Sequence, residues 1–211
     1  NVRVKIDLLD SNEIYENNVE EKLSAYAGIL VPGGFGKRGI AGKLLAIQYA
    51  RTHQIPYFGI CLGMQLVCIE YAKNVKGYLH ACSTENNPDT PHPIIYQLRD
   101  QQDGMALGGT LRLGLYDCEI KKDSKAFAAY GKTLIAERHR HRYEFNSAFS
   151  DIFDDNFICS GWNPQTNLVE IVELKNHPWF IACQYHPEFV SRPERAHPLF
   201  REFIGAALKA R

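Results

Sequence analysis

The sequence predicts an α/β fold: an open, mostly parallel central sheet with helices on both faces, and extra antiparallel strands in the second half. Three observations carry this. Short apolar runs at 28–32 and 55–60 are each followed by a stretch long enough for a helix, at 40–53 and 62–73. Continuous apolar runs of that length suit strands covered on both faces, as parallel sheets require. After residue 110 come five further strand candidates before a closing helix.

Each element has its own warrant. Val2, Val4, Ile6 and Leu8 alternate with Arg3, Lys5 and Asp7, the period-two signature of a half-buried strand. Residues 19–27 read as a short helix, and the apolar run 28–32 as a buried strand. A glycine-rich loop, 33–39, leads into the helix 40–53. The strand 55–60 and the helix 62–73 repeat the unit, and such alternation argues for right-handed βαβ crossovers. Residues 83–109 are rich in Asn, Pro, Asp, Gln and Gly with one strand candidate, 94–98, and read as a functional loop or lid. Strand candidates follow at 110–119, 133–138, 156–161, 168–174 and 179–185, then an amphipathic helix at 200–208. No internal repeat is visible, so residues 1–211 are expected to form one domain.

Composition excludes several classes. With 45% hydrophobic and 23% charged residues the chain is neither disordered nor fibrous. Lys and Arg number 24, as do Asp and Glu, so the broad electrostatic footprint of a nucleic-acid binder is missing. No run approaches a membrane span, and the first residues do not read as a signal peptide. They begin at once in strand-like sequence, which leads us to expect a piece of a longer chain. The six cysteines include no C-x-x-C pair and fit reduced thiols in a cytoplasmic protein.

Three constellations could carry chemistry. The first, Pro32 to Gly39, contains a literal G-x-G-x-x-G in Gly34, Gly36 and Gly39. The acidic residue that a dinucleotide site needs about 20 residues later is missing, because no Asp or Glu lies between Glu21 and Glu70. A phosphate-binding P-loop fails on the spacing of glycine to lysine. What survives is a loop whose backbone N–H groups can hold an anion or an oxyanion, or an ordinary glycine turn.

The second, Gly59, Ile60, Cys61, Leu62, Gly63, has the form of a nucleophile elbow with cysteine as nucleophile. Flanking glycines relieve crowding in the strand-to-helix turn. The helix N-terminus is expected to pull the Cys61 thiol pKa from about 8.5 towards neutrality, and the Leu62 N–H points where an oxyanion would form. The other cysteines read as buried and inert. The third is His186, Pro187, Glu188, at the end of the last strand candidate. A carboxylate this close can bond one imidazole nitrogen and leave the other for the thiol; His92, His177 and His197 also precede prolines but read as surface turns. His139 and His141 have the spacing of two metal ligands, but the further ligands a metal site needs are not visible. Their segment, 137–144, reads as well as a basic pocket for one small anion.

Together these motifs resemble the class I glutamine amidotransferase domains, whose fold is flavodoxin-like. Residues 33–39, 108–114, 137–144 and 184–189 are most similar to the glutaminase domains of the CTP synthase family, along essentially the whole chain. The resemblance implies that Cys61 attacks the side-chain amide of L-glutamine, with His186 as base and Glu188 as orienter. Gly34 and Leu62 would form the oxyanion hole; Gly34, Leu62, Gly63, Met64, Gln65, Glu85 and Arg142 would bind the substrate, Glu85 its α-ammonium and Arg142 its α-carboxylate. It implies no metal or cofactor in this domain. In the longer enzyme it implies an N-terminal synthetase domain that uses ATP, magnesium and UTP, activation by GTP, and a homotetramer. The rival readings are a Cys–His hydrolase of the same fold with another substrate, and a non-catalytic regulatory module.

Overall fold

A computed structural model of the chain describes residues 2–97 and 112–210. Its main sheet has seven strands in the order β1 (Ile29–Val31), β2 (Tyr57–Ile60), β10 (Phe180–Cys183), β9 (Val169–Leu174), β8 (Phe157–Trp162), β5 (Arg112–Ile120), β6 (Leu134–His141). The parallel part is β1, β2 and β10; from β9 outward the pairing is antiparallel. The expected antiparallel second half is thus the larger share of the sheet. A smaller sheet joins β3 (Ala81–Ser83), β4 (His92–Gln97) and β7 (Tyr143–Phe145).

Burial explains the pattern of the parallel strands. Every residue of β2 and of β10 is buried, because helices cover both faces. On one face α2 (Ile40–Thr52) and α3 (Leu62–Asn74) pack into an apolar core with Ile47, Leu66 and Phe180. On the other, α4 (Lys125–Tyr130) and α5 (Pro198–Lys209) close over Phe58, Ile181 and Phe203. The first helix, α1, is confined to Val19–Leu23. From Leu62 to Ala72 every residue of α3 is buried, so this helix shows no polar face in the sequence. Among the described residues no helix is long and apolar enough to cross a membrane.

The topology brings distant parts of the chain together. The last strand, β10, inserts beside β2 with Cys183 opposite Ile60. Cys61, the next residue after β2, therefore lies beside the chain that leaves β10 towards His186. Ligand sites of open α/β sheets gather at such carboxyl ends.

One expectation needs correction. Residues 2–8 form no strand: they run without a ladder, and Val2, Val4, Ile6 and Leu8 are all exposed. A strand needs a neighbour for its N–H and C=O groups, and the segment is separated from β1 by a groove of about 860 Å³ that it lines together with Ile29, Phe203 and Leu208. In the region 83–109 the strand expected at 94–98 is β4, which pairs with both β3 and β7; the rest of the expected loop or lid, from 98 on, lies outside the described residues. The short α4 was not expected from the sequence. Its ends are set by Ser124, whose hydroxyl accepts from the Phe127 N–H, and by Gly131 at φ +66°.

Candidate active site

Cys61 sits between β2 and α3 with φ 51° and ψ −101°. A non-glycine residue there costs about 1–3 kcal/mol and persists only where its surroundings enforce it. Three backbone bonds do so. The Cys61 N–H donates to Cys183 C=O at 2.7 Å, and its own carbonyl accepts from the N–H groups of Met64 and Gln65 at 3.0 and 3.1 Å. The flanking glycines are steric necessities. A Cβ on Gly59 would stand 2.8 Å from Ala182 Cβ, and one on Gly63 2.3 Å from the Val31 carbonyl oxygen.

The thiol itself departs from expectation. Cys61 is only 2% exposed, and burial pushes its pKa up to about 12. The Leu62 N–H opposes this, while the carboxylates of Glu144, Glu188 and Glu85 add to the rise. The helix N-terminus favours the thiolate as the sequence suggests, but loss of water around the sulfur outweighs it. Burial thus favours the thiol form of Cys61 over the thiolate.

His186, the second residue singled out by the sequence, is held from several sides. Its backbone N–H donates to Arg138 C=O at 2.8 Å, and its ring stacks on Phe189 with centroids 4.6 Å apart and planes 8° from parallel. Nδ1 lies 2.6 Å from Glu188 Oε1. A carboxylate accepts, so Nδ1 carries a proton, and Nε2 is left outside this bond. Nε2 is buried and without a partner among the described residues. Gly33 ties the two groups together: a Cβ there would lie 2.9 Å from His186 Cε1 and 3.5 Å from Cys61 Cβ. The glycine-rich loop thus passes against both Cys61 and the imidazole. Its next residue, Gly34, approaches Leu62, whose Cδ2 would be 3.3 Å from a Cβ at position 34. The glycine loop and the first residue of α3 are accordingly in contact.

The remaining candidates surround this centre unequally. Glu85 is half-buried, and its Oε1 accepts from the Gly36 N–H at 3.0 Å, joining the loop after β3 to the glycine loop. Gln65 is buried one turn beyond Cys61; its Nε2 donates to Tyr143 C=O at 2.9 Å and to Gln184 Oε1 at 3.2 Å. Gly63 and Met64 lie in the same first turn, but the Met64 side chain belongs to the apolar core, and its backbone N–H donates to the Cys61 carbonyl. Arg142 is exposed between β6 and β7, adjacent to the Tyr143 carbonyl that holds Gln65.

Sequence reasoning missed a buried polar cluster behind the site. Along β6 the strand period turns Glu137, His139 and His141 inward and Arg138 and Arg140 outward, so the basic segment is split rather than gathered in one pocket. Inside, Arg112 donates to Glu144 Oε1 at 2.9 Å and to Glu170 Oε1 at 2.8 Å, and His141 Nε2 lies 2.7 Å from Glu144 Oε1. Burial, with the charge of Glu144 adding to it against Arg112, lifts the Glu170 pKa to about 8. Burial, with the Arg112 guanidinium and the neighbouring imidazoles adding to it, drives that of His139 down to about 2. Strict alternation of acid or histidine with arginine over 137–141 was the available signal.

Comparison with known proteins gives a consistent result. The family model described as glutamine amidotransferase class-I matches residues 1–206. The chain is 54% identical over 208 residues to the CTP synthase of Bacillus velezensis and 55% identical to that of Carboxydothermus hydrogenoformans. Each alignment covers 98% of this chain and 39% of the relative, so the chain spans about two fifths of the length of these curated relatives. A solved structure of the glutaminase domain of Trypanosoma brucei CTPS with bound acivicin superposes with a TM-score of 0.90 at 38% identity, covering 99% of this chain and 82% of that one. Since both the family model and this structural match extend over almost all of the chain, it belongs to the class I glutamine amidotransferases, among the glutaminase domains of CTP synthases.

Proposed function

We propose that Cys61, His186 and Glu188 hydrolyse the side-chain amide of glutamine. The observation that carries the reading is the pairing of a buried thiol on a left-handed elbow with an imidazole whose Nδ1 is fixed by Glu188 and whose Nε2 is unpartnered. His186 takes the thiol proton as sulfur attacks the amide carbon, and the N–H groups of Gly34 and Leu62 receive the oxyanion. The imidazolium then protonates the amide nitrogen, which leaves as ammonia. Water, activated by the same imidazole, cleaves the glutamyl thioester to glutamate and restores the thiol. Gly34, Leu62, Gly63, Met64 and Gln65 line the amide, while Glu85 and Arg142 pair with the α-ammonium and α-carboxylate of the free amino acid.

The high resting pKa of Cys61 supports this order of events, because deprotonation is then coupled to attack and unproductive thiolate is scarce. In the longer protein the ammonia serves the amination of UTP to CTP in a synthetase domain that takes ATP and magnesium, with GTP as activator and a homotetramer as the working assembly. The free thiols fit the reducing cytoplasm. The test is ammonia release from glutamine by the full-length protein and its Cys61→Ser variant. Release should fall to background in the variant, while CTP formation from added ammonia persists. Undiminished glutaminase activity in Cys61→Ser would overturn the reading.

A further inference from the structure

We propose that Gln184 is a further residue of the reaction centre, donating a hydrogen bond from its side-chain Nε2 to the Cys61 sulfur and so stabilising the thiolate both in attack and on release from the thioester. The inference rests on the glutaminase reading above and adds to it a residue that the sequence motifs did not single out for chemistry.

The backbone dictates the contact. Cys183 is paired with Ile60 in parallel register, and the next residue of each strand carries the side chain in question. Cys61 is anchored to the Cys183 carbonyl at 2.7 Å, and the Gln184 N–H to the Glu170 carbonyl at 2.8 Å. Both sites are therefore fixed by ladder bonds at one sheet edge. Gln184 is fully buried, and its Nε2 lies 3.7 Å from Cys61 Sγ.

Which end of the amide faces sulfur follows from its neighbours. The Tyr143 carbonyl can only accept, so the group of Gln65 that faces it, at 2.9 Å, is the NH₂. The same NH₂ lies 3.2 Å from the Gln184 amide, which must then present its oxygen there and its own NH₂ to the sulfur. A chain of donors thus runs from Tyr143 C=O through Gln65 and Gln184 to Cys61. A neutral donor suits this position: it favours the thiolate without adding a positive charge that would disfavour the imidazolium formed when His186 takes the proton. Gln65, placed by resemblance at the substrate, is in this way mechanically coupled to the nucleophile.

The test uses the full-length protein and two near-isosteric variants. Gln184→Met removes the donor. Gln184→Glu keeps an oxygen for Gln65 but turns a second oxygen, ionised at alkaline pH, towards the sulfur. Iodoacetamide alkylation of Cys61 is followed by mass spectrometry from pH 6 to 10, beside kcat and KM for glutamine. Alkylation at a given pH should fall by about 10- to 100-fold in Gln184→Met, the scale of a hydrogen bond to a charged group, and further in Gln184→Glu at the alkaline end. The kcat should fall with it and KM should change little. A variant that melts below the assay temperature is set aside and the other read alone. Unchanged alkylation profiles in a folded variant would overturn the proposal, as would a loss confined to KM. The unaltered protein serves as a separate control: if it releases no ammonia, or Cys61→Ser still does, the glutaminase reading itself has failed.

Discussion

Cys61 is held in a strained backbone, deprived of water and surrounded by carboxylates, so its reactivity depends on what the site supplies. Below a pKa of about 12 the thiolate fraction rises tenfold per pH unit, so modification by a simple alkylating agent should be slow at neutral pH and climb steadily to pH 10. An electrophile shaped like glutamine recruits the imidazole and oxyanion donors and should label Cys61 alone at pH 7, with excess glutamine protecting it. Peptide mapping distinguishes these outcomes, and labelling spread over Cys68, Cys118 or Cys183 would contradict them. Gly33 makes a second point at this scale. Its substitution by Ala places a methyl 2.9 Å from His186 Cε1, which must displace the imidazole from its stack on Phe189. A misplacement of about 1 Å can cost 10²-fold, so kcat should drop on that order while the melting temperature moves little. A kcat near that of the native protein would mean that the imidazole has room to yield.

At the scale of elements, α2 and α3 are locked by more than their apolar faces. Arg51 donates to both oxygens of Glu70 at 2.7–3.2 Å, and the Glu70 side chain is 1% exposed. Replacing Arg51 by Leu leaves a buried carboxylate whose remaining partner is Asn74, and should destabilise the fold by about 3–5 kcal/mol; chemical denaturation measures it, and a loss under about 1 kcal/mol would mean that water reaches Glu70. The parallel half of the fold was legible in the sequence because its cues are local: fully apolar strands, glycines at fixed offsets about Cys61, and a proline after His186. Other features depend on partners far along the chain. Residues 2–8 alternate as a strand should, but alternation cannot supply a neighbour. The short β3 and β7 are too brief for any period to register. Gln184 became a candidate only once Gln65 and Cys61, more than a hundred residues distant, were seen against it. The thiol pKa was misjudged for the same reason, since burial is a property of the assembled core.

For the molecule as a whole, the buried cluster of Arg112, Glu144, Glu170 and His139 makes stability depend on pH in two directions. Glu170 is raised from 4.5 to about 8, so its contribution is fully present below about pH 4.5 and is lost as pH rises through 8. His139 is lowered from 6.5 to about 2, so its contribution is present above 6.5 and is lost as pH falls. Calorimetry should find the melting temperature greatest between about pH 4.5 and 6.5, where the two dependences offset each other, and Glu170→Gln, which mimics the protonated acid, should flatten the fall between about pH 6.5 and 8. A native melting curve that does not shift over that interval would refute the assignment. The groove beside β1 has a consequence of another kind. Among the described residues β1 pairs on one side only, and the groove on its other side is lined by Val2, Val4, Ile6 and Leu8, which offer greasy side chains to water. An unguarded ladder of this sort is a template for accretion of like chains. Residues 1–211 prepared alone should therefore form concentration-dependent oligomers and scatter light on warming, with Ile6→Lys suppressing both. Sedimentation as a single monomeric species at every concentration would show that this margin of the sheet is colloidally silent.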